Sequence, residues 1–181
     1  MNCRRLIAVA LLGSGLATSW AQAPPDFSGT WTQEANAAEQ PSVVSAGDLP
    51  FAVGSMGSGW GSPLTIRQSS QTLEVEYVHF RVYDLQPPLR LRFNLDGADS
   101  SNTLMLGHTT STLHSRAERQ QGSLVISTRV PVPAEGAGAE HVDMRQVLTL
   151  ESPGTLVIET TRTGPGGAAP SVTRTRYSKT G

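Results

Sequence analysis

From Pro63 onward, apolar and polar residues alternate along most of the chain. The cleanest case is Leu89, Leu91, Phe93 and Leu95, interleaved with Arg90, Arg92 and Asn94. A period of two places one set on a buried face and the other in water, which predicts a half-buried β-strand. The same test predicts strands over Leu64–Arg67, Asn102–Gly107, Ser111–Arg119 and Ser123–Val130. It predicts further strands over His141–Leu150, Thr155–Thr163 and Ser171–Ser178. Val142, Met144, Leu148 and Leu150 share one face of their strand. Thr72–Tyr83 is longer and changes face midway, from Leu73, Val75 and Tyr77 to Val78, Phe80 and Val82, which predicts either a bulge or a strand that crosses from one environment to another.

Turn residues separate these segments. Ser69-Ser70-Gln71, Asp96-Gly97-Ala98-Asp99, Gln120-Gln121-Gly122, Ser152-Pro153-Gly154 and Gly164-Pro165-Gly166-Gly167 each interrupt the pattern. With a strand over Asp26–Trp31, about ten strands result, and no long helix is predicted. Turn signals about every 8–12 residues mark an all-β barrel or sandwich, and short connections favour an antiparallel, up-and-down meander. A closed barrel of about 8–10 strands also removes exposed sheet edges.

The stretch between the first two strands, about 33–62, lacks this pattern. Glu34–Gln40 is alanine-rich and compatible with a short helix, whereas Gly54-Ser55-Met56-Gly57-Ser58-Gly59-Trp60-Gly61 suits neither helix nor strand. Its glycines lack the Gly-Lys-Ser/Thr of a phosphate loop. Phe51, Val53, Met56 and Trp60 give it apolar teeth, so it is either a surface connector or a lid over a barrel mouth.

Residues 1–23 have the layout of a secretion signal. Arg4 and Arg5 precede an apolar run from Leu6 to Leu12, and Ala21-Gln22-Ala23 is a small-x-small cleavage site. A single domain over 24–181, secreted or periplasmic, is the expectation. The one cysteine, Cys3, falls in the signal, so the remaining domain has no thiol chemistry and rests on its core. Formal net charge is −1, and loss of Arg4 and Arg5 makes it more negative. That balance gives no drive toward nucleic acid or an anionic membrane.

Catalytic patterns are absent. His79, His108, His114 and His141 do not pair at metal-ligand spacing, and there is no G-x-S-x-G elbow. Glu74 and Glu76 share the outer face of one strand, where solvation is the expected role. No cofactor or metal is implied.

The opening Asp26-Phe27-Ser28-Gly29-Thr30-Trp31 places Phe27, Gly29 and Trp31 on one strand face. This G-x-W element resembles the first strand of lipocalin-like (calycin-type) β-barrels. With Leu64-Thr65-Ile66-Arg67-Gln68, Leu156–Gly164 and Thr173–Lys179 it also resembles secreted bacterial domains that begin with DFSGTW. The resemblance implies that Trp31 closes one end of the barrel beneath an arginine from a late strand, with Arg162, Arg174 and Arg176 as candidates and Arg174 carried forward. It also implies a non-catalytic binding protein for a small, partly apolar or lipophilic ligand. Trp60, Tyr77, Phe93 and Met144 are the candidate lining. Aromatics are 6% of residues, which argues against a large greasy cavity. The alternative is a filled barrel acting as a structural or protein-interaction module.

Overall fold

A computed structural model describes residues 24–34, 60–77, 88–106, 109–132, 140–164 and 169–180. The expected signal, the predicted helix, most of the glycine-rich stretch and the second half of the Thr72–Tyr83 pattern lie outside these residues. Ten strands form in chain order: β1 (Gly29–Gln33), β2 (Leu64–Gln68), β3 (Thr72–Tyr77), β4 (Leu89–Asn94), β5 (Asp99–Leu106), β6 (Thr109–Gln120), β7 (Ser123–Val132), β8 (Glu140–Ser152), β9 (Thr155–Thr163) and β10 (Ser171–Thr180).

They make one sheet in the order β4-β3-β2-β1-β10-β9-β8-β7-β6-β5, every ladder antiparallel. The sheet curls into a nearly closed, up-and-down barrel, an arrangement consistent with a lipocalin-like fold. The tight turns β2–β3, β4–β5, β6–β7 and β8–β9 share one end with the start of β1 and the close of β10. The last residues of β1, β3, β5, β7 and β9 share the other end with the first residues of the strands that follow them. At the β6–β7 turn Gln121 and Gly122 take φ of 32° and 86°, the left-handed backbone that a two-residue hairpin demands.

The barrel has one seam. β4 and β5 are joined by side chains instead of a backbone ladder. The Asn102 amide faces the main chain of Arg92: its Oδ1 accepts from Arg92 N at 2.7 Å and its Nδ2 donates to Arg92 O at 3.0 Å. Asn94 N donates to Ser100 Oγ at 2.8 Å, and Asn94 Nδ2 donates to the Asp99 carbonyl at 3.1 Å. A primary amide carries the donor and acceptor of a peptide group, so Asn102 substitutes for a strand residue.

The inward alternate positions supply the core. Leu64, Ile66, Leu73, Val75, Leu91 and Phe93 line the β2–β4 side, and Leu124, Ile126, Leu148, Leu156 and Ile158 face them. Glu74 and Glu76 point outward, where Glu76 pairs with Arg67 and Arg90 at 3.3 and 2.9 Å. Exposed pairs of this kind contribute little to stability.

Candidate functional site

β1 and the residues before it build the aromatic part of the interior. Phe27 and Trp31 are fully buried, and the Trp31 indole Nε1–H donates to the Phe27 carbonyl at 3.0 Å. The Gln68 side chain ties this entry down, accepting from Phe27 N and donating to the Pro25 carbonyl. The cation over Trp31 is Lys179, whose Nζ lies 5.3 Å from the ring centroid. It replaces the expected late-strand arginine for a reason of parity. Odd positions of β10 share the inward side with Thr175 and Tyr177, whereas Arg174 and Arg176 face outward. There both meet Glu151, at 2.6 and 2.7 Å. Arg162 faces inward but sits far along β9, opposite Ser171 and Met144. Gly29 makes room for the lysine: a Cβ there would stand 2.5 Å from Lys179 Cε, and its φ of +147° disfavours a side chain.

Of the four candidate lining residues, three are core. Trp60 is 1% exposed, with its ring 6.3 Å from that of Phe93 and its carbonyl accepting from the Tyr177 hydroxyl at 3.3 Å. Trp60 therefore enters the barrel and takes up interior volume. Tyr77 is buried on β3, and burial, with Tyr177 nearby, holds its phenol above the ordinary value. Met144 is separate: it lies half-buried on β8 between Thr128 and Arg162.

Around Met144 the interior changes character. Gln146, Thr160 and Thr175 are at most 1% exposed, and Ser115, Thr128, Ser100 and Asn102 are also buried. Part of this polarity is spent internally. Ser115 and Thr128 share a hydrogen bond of 2.9 Å, and Ser100 and Asn102 hold the seam. The other inward polar residues, also engaged within the protein apart from Thr175, form a run across β8–β10, because Gln146 is opposite Thr160, Thr160 opposite Thr173, and Ile158 opposite Thr175. Arg162 supplies the charge. Its Nη1 donates to Thr173 Oγ1 at 3.4 Å, its Nε is sealed from solvent, and burial lowers its pKa below the ordinary guanidinium value. The Thr175 hydroxyl is buried and has no hydrogen-bond partner among the described residues. The inner wall is thus apolar over β1–β4 and polar over the upper parts of β8–β10.

This polar wall was within reach of the sequence. Leu156 and Ile158 set the inward parity of β9, which carries Thr160 and Arg162 to the same side. Met144 and Leu148 likewise carry Gln146. The signal was obscured because polar residues at inward positions break the apolar alternation.

The outer face of β6–β9 holds an open depression of about 700 Å³ lined by Arg116, Arg129, Arg145, His114, Asp99 and Asp143 among others. Two of its arginines are engaged by carboxylates, Arg116 with Asp99 at 2.9 Å and Arg129 with Asp143 at 3.4 Å. Among the described residues no three His, Asp or Glu side chains are grouped to hold a metal. No protein-family model matches the chain, and no curated protein matches it.

Proposed function

We propose that this is a secreted or periplasmic, non-catalytic binding protein that holds a small, partly apolar ligand among its inward side chains. The observation that carries this reading is the divided inner wall, with the unpartnered, buried Thr175 hydroxyl on its polar side. A buried hydroxyl without a partner is unfavourable by about 1–3 kcal/mol. A scaffold selected only for stability has no use for one, whereas a ligand or an ordered water satisfies it. The likeness to secreted DFSGTW domains and the signal-like residues 1–23 support the location. Trp60 favours a second reading, a filled barrel that acts through its surface, because its side chain already occupies interior volume.

Native mass spectrometry of the purified mature protein, followed by denaturing extraction, separates the two. A co-purifying small molecule is the expected result and names the ligand class. Bare protein, with no thermal shift against a lipid and metabolite panel, would favour the filled barrel.

A further inference from the structure

Independently of anything held inside the barrel, we propose that the outer face of β6–β8 binds an oxyanion over Ser127, borne by a hydroxyl-rich molecule of the sugar-acid class. The register of three strands makes the site. Ser127 of β7 lies directly opposite Arg116 of β6 and Arg145 of β8. Arg129 follows two positions along β7 on the same exposed face. The flanking arginines are about 10 Å apart at Cα, two strand spacings, and Arg129 lies diagonally about 7–8 Å from each. Three guanidinium-bearing residues therefore surround one short hydroxyl side chain in the open depression of about 700 Å³.

The carboxylates do not close the site. Asp99 takes Nε and Nη2 of Arg116 with one oxygen, at 3.2 and 2.9 Å, and Asp143 takes only Nε of Arg129, at 3.4 Å. A guanidinium carries five N–H donors, so both arginines are held in place and keep donors to spare. Arg145 and the Ser127 hydroxyl form no hydrogen bond or ion pair with any described residue. Three arginines against two aspartates leave one positive charge in excess. Like charges gathered on one sheet face are destabilising, and an oxyanion relieves that while taking paired N–H donors from Arg145.

The rest of the depression selects the carrier. Thr161 lies opposite Arg145, and Thr163 opposite Asp143. Every residue lining the depression except Met144 is polar or charged. A hydroxylated molecule can meet both threonines and donate to Asp99 Oδ2, which neither bond to Arg116 uses. An apolar ligand would find only Met144, and a cation would meet the excess charge. One excess charge on a chain of net negative charge gives no pull on a long polyanion.

The test is an amide NMR titration of the full mature chain with sodium sulfate, glucuronate and acetate, at an ionic strength held constant with sodium chloride. Saturable shifts at residues 116, 127, 129 and 145 are expected with all three. Arg145→Gln is expected to weaken each about 10-fold, and glucuronate to bind severalfold more tightly than acetate. Equal binding of glucuronate and acetate would overturn the sugar-acid assignment. Shifts spread over all arginines, unmoved by Arg145→Gln, would overturn the site itself. A second variant reads the same field without a ligand. Ser127→Asp places a carboxylate among the three arginines and is expected to melt a few degrees above the isosteric Ser127→Asn at low salt and to lose sulfate binding. An equal or lower melting temperature for Ser127→Asp would also overturn the proposal. Neither outcome bears on a ligand inside the barrel, which the mass spectrometry above decides.

Discussion

Lys179 is the only lysine in the chain, and it stands over Trp31 with the backbone of Gly29 beneath its stem. A cation over an indole face contributes about 0.5–1 kcal/mol at an exposed site. Lys179→Met is therefore expected to lower the melting temperature by a few degrees, while Lys179→Arg holds it; a thermal melt checks both. Tyr77 makes a pH prediction. Its phenol is held above the ordinary tyrosine value by burial and then by Tyr177. A folded value above the unfolded one contributes stability that is complete below the unfolded pKa and is lost as pH rises beyond it. Denaturation midpoints are expected to hold up to about pH 10 and then fall, less steeply in Tyr77→Phe. An identical alkaline slope in the variant would exclude Tyr77 as the cause. Of these contacts, Phe27 and Trp31 on one face were readable from period two. Lys179 was not, because its approach to Trp31 depends on how β10 registers against β1, which no local pattern encodes.

At the scale of elements, turns carried most of the legible information. Ser69–Gln71, Asp96–Asp99, Gln121-Gly122 and Pro153-Gly154 each separate two strands that pair as antiparallel neighbours or meet at the seam. Boundaries moved by a few residues: the opening strand begins at Gly29, after Phe27, and β5 starts at Asp99. The seam itself was illegible. Asn102 breaks the apolar alternation of β5 much as a solvated residue would, and nothing local marks it as a stand-in for a peptide group. Asn102→Leu keeps the size but leaves Arg92 N and O without partners, which is expected to destabilise the protein by about 1–3 kcal/mol. Hydrogen exchange offers the sharper check. In the variant the Arg92 amide is expected to exchange faster, with the amides of the β7–β8 ladder slowed or unchanged relative to it. Uniform acceleration across all strands would mean that Asn102 acts on global stability and has no local hold on the seam.

For the whole molecule, the all-β, ten-strand, up-and-down architecture followed from alternation and turn chemistry, because a meander needs only neighbour-to-neighbour pairing. One ladder departs from that rule. β1 pairs with β10, and Thr180 hydrogen-bonds to Thr30 across 150 positions of sequence. Forming such a ladder closes a very long loop, which slows folding.

The side-chain seam turns this into a statement about where the chain is free to begin. Since β4 and β5 share no ladder, the turn between them is the natural place to open the polypeptide. A circular permutant that starts at Ala98, ends at Gly97 and joins the old termini by about ten Gly/Ser residues, a reach of roughly 17 Å, would run β5 to β10 and then β1 to β4. Spatial order and chain order would then coincide, with every ladder between consecutive strands. Such a permutant is expected to fold faster than the natural chain in stopped-flow refolding, at the cost of a somewhat looser seam.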